Sequence, residues 1–513
     1  MLRWLLVAWI ALAGIAVMAV VAGSARSKAA ATAPTATDDE DADNEYGAER
    51  LYASQVNTFI DYIAENYMTE IAPEVLAARA IQALFDKAGK PLPDHLKGDL
   101  VTYLKGRDLH RELFRARQAA GTAKALTSIH AAVRTSIEGM MGALDPYSAY
   151  LHAEDQTRGD LNVGIGVTLE DRVQAGPCHI RTVALDGPAL RAGIRPGDQL
   201  LEVNGQAIPP ELSAAQIQRR YLDGSPDSKV TLRIRPMPEG EPKTVQVRRE
   251  SFRESPVKGV RRLGSRAEGE EQWDFLIDPV HRLGYVRYGT ISRAAVQALF
   301  EAFQDMRAIG ITGMVLDLRE CPGGTLDDAA DTADCFLPPG KLIARLRYRN
   351  PRNASANVDA FVSQPSPRKF LLPMVVLVGP DTMGGGELIA ATLQDHGRAA
   401  IVGQRTRGKG SIQQPSRVVV DNHVIRLSVG FYERPSGQPL QRYIESKPRD
   451  PWGVRPDDDL ALPLPAVVHR QVRAWRLLSD LRPETATHSL PLDRPENDPI
   501  LELGLRHLRT LIK

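Results

Sequence analysis

Two short hydrophobic runs, each ending in a glycine-rich turn, constrain this chain more than any other feature. Met314 to Leu318 reads as a buried strand that runs into Arg319-Glu320-Cys321-Pro322-Gly323-Gly324. Met374 to Val378 runs into Gly379-Pro380-Asp381-Thr382-Met383-Gly384-Gly385-Gly386, after which a helix is expected from Glu387 to near Gly397. Strand–turn–helix units of this kind indicate an α/β architecture, with functional groups at the C-terminal ends of the strands. Tyr285 to Tyr288 fits a further strand. Val296, Leu299, Phe300 and Phe303 fall at i, i+3, i+4 and i+7 and mark one face of a helix. Ile425, Leu427, Val429 and Phe431 alternate, as a later strand should.

Upstream, the pattern is helical. Val56, Phe59, Ile60 and Ile63 form one apolar face, and Ile129, Val133 and Ile137 another, before Gly142-Ala143-Leu144-Asp145-Pro146 breaks it. Residues 49–155 are therefore expected to be a helical N-terminal region. Within it, 89–121 is a charged insertion with helical character and little visible core. From about Leu161 short strands and turns take over. Gly164-Ile165-Gly166-Val167 precedes Gly187-Pro188-Ala189-Leu190-Arg191-Ala192-Gly193-Ile194-Arg195-Pro196-Gly197-Asp198 and then Leu200-Leu201-Glu202-Val203-Asn204-Gly205. A lone GIGV would suit an ordinary hairpin, but this order of motifs resembles a PDZ domain over 156–240. The resemblance implies that backbone N–H groups of Gly164, Ile165, Gly166 and Val167 receive a peptide's terminal carboxylate while the peptide adds as a strand to the sheet edge. Glycine suits that task because backbone must approach the carboxylate closely.

Ahead of these regions, Trp4 to Ala22 is a 19-residue run without a charge, longer than a secretory apolar core and long enough to span a bilayer. Residues 1–23 are expected to be a signal peptide or, by length, a signal-anchor, and 24–48, rich in Ala, Thr, Pro and acid, a disordered linker. The expected location is the exported side of the membrane, periplasm-like and membrane-anchored. The chain has 513 residues, with 64 basic against 63 acidic side chains, a net charge of +1, which gives no electrostatic reason to expect nucleic acid as a partner. Its three cysteines form no CxxC pair, and no His/Glu/Cys set has metal-ligand spacing, so no cofactor is expected.

From about Tyr52 to Asp457 the chain resembles the carboxyl-terminal processing, or tail-specific, serine peptidases. The resemblance is carried by Leu144-Asp145-Pro146-Tyr147-Ser148, the PDZ motifs, Asp317-Leu318-Arg319 with Pro322-Gly323-Gly324, Glu387-Leu388-Ile389-Ala390, Leu393-Gln394-Asp395, Arg407-Gly408-Lys409-Gly410 and Gly453-Val454-Arg455-Pro456-Asp457. It implies an α/β multidomain protein: helical N-terminal region, PDZ domain and an α/β peptidase core over 241–465; residues 466–513, beyond the resemblance, are expected to be a C-terminal helical extension. It implies serine-type proteolysis in which a lysine takes the serine's proton, desolvation having lowered the lysine's pKa. Lys409 matches that lysine and Gln413 a glutamine that helps position it. The backbone N–H groups of Gly324 and Gly385 match the oxyanion donors. The expected partners are C-terminal tails of unfolded or misfolded proteins.

One position departs from the pattern. The family's serine corresponds to residue 384, which lies 25 residues before Lys409 and three before Glu387, and residue 384 is glycine. No serine occurs between Ser366 and Ser411, so a shifted alignment restores nothing. Loss of a catalytic serine costs about a millionfold in turnover, with roughly a thousandfold or more over water left from the rest of such a site. The expectation is a homologue that binds protein C-termini with proteolysis lost or severely impaired. Thr382 and Cys321 are the alternative nucleophiles for an active peptidase using Lys409. A remote alternative is nucleotide binding, since Gly403 to Lys409 satisfies GxxxxGK. Against it, Gly410 stands where a phosphate loop needs Ser or Thr, and Pro415 interrupts the helix that should follow.

Overall fold

The computed structural model describes residues 47–512 except 122–125, 127, 153–161, 171–176, 186, 211, 213, 237–239, 253–254, 266–270, 354–358, 421–422, 444 and 482–497. The apolar run from Trp4 to Ala22 and nearly all of the expected linker lie outside the described residues. Among those described, no helix is long and apolar enough to cross a membrane.

The N-terminal region is a helical layer. Helices Gly47–Asn66, Pro73–Ala88, Leu109–Ala120 and Ile129–Met141 follow one another, and Val56, Phe59, Ile60, Ile63, Val133 and Ile137 are fully buried. The first helix opens at Gly47, inside the stretch expected to be linker. The stretch 89–121 is helical, as its sequence suggests, but the expectation that it carries little core fails. Leu96, Leu100, Leu104, Leu113, Ala116 and Ala120 are all buried in the main core. Their spacing hid this because Leu96, Leu100 and Leu104 sit in elements of three and five residues, too brief to show a period. On helix Leu109–Ala120 the buried Leu113, Ala116 and Ala120 stand among Arg111, Glu112, Arg115 and Arg117, of which Glu112 and Arg117 are buried too. The Arg117 guanidinium donates through Nη1 to the Gly121 carbonyl and through Nη2 to the Leu126 carbonyl, while its Nε has no partner among the described residues.

The PDZ domain has a core of its own, built around Ile165, Ile180, Val203, Ile217, Val230, Leu232 and Ile234. Its antiparallel sheet runs in the order Val167–Leu169, Cys178–Val183, Gln199–Val203, Lys229–Arg235, Lys243–Arg248. Val167–Leu169 is thereby an edge strand.

The α/β core carries two large sheets among the described residues, beside the small hairpin Arg261–Ser265 with Glu271–Asp274. Leu283–Tyr288, Gly313–Asp317, Met374–Val378 and Ala400–Gly403 pair in parallel in that order. Gly313–Asp317 and Met374–Val378 are buried at every residue, as a sheet covered on both faces demands. Helix Arg293–Ala308 packs its Leu299, Phe303 and Met306 into the main core on one side. On the other, Ile500, Leu501, Leu505 and Leu508 of the C-terminal helix Pro499–Leu511 cover Val315, Val375, Leu377 and Val402. Buried ion pairs tie this extension down: Arg319 bridges Asp317 and Asp498 at 2.7 Å each, and Arg476 of helix Ala466–Leu481 also meets Asp317. Burial alone would raise the Asp317 carboxyl, but Arg319 and Arg476 hold it well below the usual carboxylate range. The second sheet centres on His423–Glu433, flanked by Ala149–His152, Leu342–Tyr348 and Ser411–Val420. The chain is thus a helical N-terminal region, a PDZ domain and an α/β core.

Candidate active site

The two glycine-rich turns lie side by side because the strands they terminate are parallel neighbours. The Leu318 N–H donates to the Leu377 carbonyl at 2.9 Å, and the Met383 N–H to the Cys321 carbonyl at 3.0 Å. The helix after the second turn is Gly385–Asp395, two residues earlier than expected, with Gly384 as its N-cap. Gly384 sits at φ +57°, ψ −120°, a conformation that side chains bearing a Cβ rarely adopt. Space is not what excludes a side chain there: an added Cβ would find Gly323 Cα, Lys409 Cδ and the Pro322 carbonyl no nearer than 3.9 Å. Gly323 differs, since a Cβ on it would lie 2.9 Å from the Gly385 nitrogen. Glycine there is what lets the turns stack. Neither the Gly324 nor the Gly385 N–H is taken up by an acceptor among the described residues.

Lys409 reaches this place on the loop before strand Ser411–Val420. Two buried side chains fasten it to residue 384. The Glu387 carboxylate accepts from the backbone N–H groups of Gly384 (3.0 Å), Lys409 (2.7 Å) and Gly408 (2.6 Å), and from the Thr406 hydroxyl (2.5 Å). The Tyr432 hydroxyl lies 2.6 Å from the Gly384 carbonyl and 2.9 Å from the Lys409 carbonyl. Burial raises the Glu387 carboxyl, and those four donors oppose the rise. Burial also lowers the Lys409 pKa; Arg426 adds to the effect, and Asp145 and Glu387 oppose it. The Lys409 Nζ stands over the Tyr147 ring, 5.1 Å from its centroid. No carboxylate pairs with it among the described residues.

Gln413 is nearby but is engaged elsewhere. Its Nε2 donates to the Tyr147 carbonyl at 2.7 Å, and no hydrogen bond joins Gln413 to the Lys409 amine among the described residues. Tyr147 is held from its other side by Asp145, whose Oδ1 accepts its N–H at 2.9 Å and the Ser428 hydroxyl at 3.1 Å. Spacing assigned no role to Glu387, Tyr432, Tyr147 or Asp145. Glu387 and the Asp145–Ser148 run stood among the family motifs, whereas nothing near Tyr432 marked it.

The alternative nucleophiles are poorly placed for chemistry. The Thr382 hydroxyl is fully buried, donates to the Leu318 carbonyl at 2.7 Å and accepts from the Gly379 N–H at 3.0 Å. Cys321 packs beneath the helix start, against Gly386, and burial pushes its thiol up to about 12, so the reactive thiolate does not form near neutrality. The phosphate-loop alternative fails on charge. The N–H groups of Gly408 and Lys409, which would have to cradle a phosphate, are held by a buried carboxylate, and a strand rather than a helix follows.

In the PDZ domain, strand Asn162–Gly164 pairs with Glu250–Phe252, and the loop behind it is fixed by its own carbonyls. The Gly166 carbonyl accepts from the Ala184 N–H at 2.7 Å and the Ile165 carbonyl from the Ala189 N–H at 2.9 Å. Ile165 and Val167 are buried in the domain core, and Gly166, at φ +76°, lies against Ala184 and Phe252. Val167–Leu169 pairs only with Cys178–Val183 among the described strands, leaving its other edge for an added strand. On the neighbouring strand Cys178–Val183, Arg181 forms an ion pair at 2.8 Å with Asp381, in the turn before Gly384. Asp381 also meets Arg407 and Arg473.

Comparison with known proteins agrees with this architecture. Residues 282–459 match the model of peptidase family S41, and residues 179–236 match the PDZ domain. A carboxy-terminal-processing protease of Bartonella bacilliformis is 30% identical over 347 residues, covering 65% of this chain and 70% of that protein. A carboxyl-terminal-processing protease of Synechocystis is 28% identical over 341 residues, covering 64% and 71%. The carboxy-terminal processing protease CtpA of Bacillus subtilis is 26% identical over 334 residues, covering 64% of each.

Proposed function

The chain belongs to peptidase family S41, the carboxy-terminal processing peptidases with a PDZ domain, and from that premise we propose that it binds protein C-termini while its proteolysis is lost or severely impaired. One observation carries the proposal: residue 384, the turn position clamped to Lys409 by Glu387 and Tyr432, has no side chain. In the family chemistry a serine oxygen there attacks the scissile carbonyl, Lys409 takes its proton, and the Gly324 and Gly385 amides stabilise the oxyanion. Here the proton acceptor and the two amides have no nucleophile to serve. The commitments of Thr382 and the high pKa of Cys321 weigh against either as a replacement.

The clients are C-terminal tails of unfolded or misfolded proteins, gripped along Val167–Leu169 with the carboxylate at Gly164–Val167. The place of work is the cell envelope, on the exported side of the membrane, with Trp4–Ala22 as tether. Incubation of the purified protein with an unfolded, apolar-tailed protein tests the central claim. Retention of the tail with negligible cleavage is expected. Rapid cleavage that Cys321→Ala or Thr382→Val abolishes would replace this reading with an active peptidase.

A further inference from the structure

We propose that Tyr147 is the positioning residue for the Lys409 ammonium, and that Gln413 acts on the lysine through Tyr147 rather than by touching it. The backbone of Tyr147 is locked from both directions: its N–H is bound by Asp145 and its carbonyl by Gln413 Nε2, at 2.9 and 2.7 Å. Asp145 is itself immobilised by the Ser148 hydroxyl at 2.7 Å and the Ser428 hydroxyl at 3.1 Å. With its main chain fixed, the ring can swing only about its side-chain bonds, and it presents its face to the Lys409 Nζ at 5.1 Å. The negative face of an aromatic ring attracts a cation. Where no carboxylate bonds to the ammonium, that face is a direct hold on it.

The other charged and titratable groups acting on Lys409 come from three elements. Arg426 on strand His423–Glu433 disfavours its charge, while Asp145 in the loop before Ala149–His152 and Glu387 at the helix start favour it. Tyr432 fixes the lysine's backbone carbonyl, not its amine. Gln413 therefore governs the ring's placement, and the ring governs the amine. The inference borrows from the proposed function only the significance of Lys409. Measured on the lysine itself, its failure would leave the reading of Gly384 untouched.

The test is the ionisation of Lys409 in the full-length protein, read from the pH dependence of its acylation by acetic anhydride, with the peptide carrying it quantified by mass spectrometry. Tyr147→Leu removes the aromatic face, so the charged amine loses support and the titration midpoint should fall by about 0.4–1.5 pH units. Tyr147→Phe keeps the face and should leave the midpoint in place. Gln413→Ala should lower it in the same direction, and adding it to Tyr147→Leu should lower it no further. A midpoint that ignores Gln413→Ala, or that falls equally in Tyr147→Phe, would overturn the proposal. Because Gln413→Ala removes one hydrogen bond at the site, it decides the matter even where Tyr147→Leu fails to fold.

Discussion

Replacing Gly384 with serine adds one Cβ and one hydroxyl at the position that both spacings and the clamped turn single out. The added Cβ meets nothing nearer than 3.9 Å, so the cost is not steric. It is conformational: at φ +57° and ψ −120° a residue with a Cβ is strained by about 1–3 kcal/mol, of which roughly 0.4–1 kcal/mol returns because glycine gives up more entropy on folding. A net loss of about 0–2.6 kcal/mol should leave the protein folded with a modestly lower Tm. One bond carries the new Oγ from Cβ, and two carry Nζ from the Lys409 Cδ that lies 3.9 Å from that Cβ, so hydroxyl and amine are within reach of each other. Restoring a lost serine can recover up to about a millionfold in turnover where the remaining site is intact. Cleavage of an unfolded, apolar-tailed protein, followed by electrophoresis, should therefore emerge in Gly384→Ser and vanish again with Lys409→Ala. Because the amine must be neutral to accept the proton, and burial lowers its pKa from the ordinary 10.5, the rate should rise with pH and level off below that value. A folded Gly384→Ser protein that neither cleaves nor reacts with a serine-directed fluorophosphonate would refute the claim that only the nucleophile is missing.

Three further outcomes follow from the same geometry. A peptide ending in small apolar residues should bind more than tenfold tighter as the free acid than as the C-terminal amide, and equal affinities by calorimetry would remove Gly164–Val167 from carboxylate binding. Glu387→Ala leaves three backbone amides and the Thr406 hydroxyl without an acceptor in a dry site, so thermal or denaturant unfolding should register a loss of about 3–5 kcal/mol. A loss under 1 kcal/mol would mean that water replaces the carboxylate. If Trp4–Ala22 is a tether, the protein should sediment with membranes and resist high salt, whereas a soluble protein whose mature N-terminus lies at or beyond Ser24 would mean a cleaved signal.

The sequence by itself determined which segments form the parallel sheet, because strands buried on both faces must be almost wholly apolar, as Met374–Val378 is. It also determined where the site lies, since parallel strands end their turns on one side, and that residue 384 carries no side chain. Periodicity failed at 89–121, where Leu96, Leu100 and Leu104 are split between elements too short to repeat and the buried face of helix Leu109–Ala120 is masked by charged neighbours. Most of what assembles the site was decided by the tertiary structure alone. Tyr432 reaches Gly384 across 48 residues and Gln413 reaches Tyr147 across 266, and no local pattern encodes a contact between a strand and a turn that far apart. Glu387 was legible as a motif, but its four donors come from two loops that meet only once the sheet is formed. The backbone angle at Gly384 was likewise invisible in the sequence. A glycine adopts either sign of φ at little cost, and the packing of two turns, not the residue, chose the positive one.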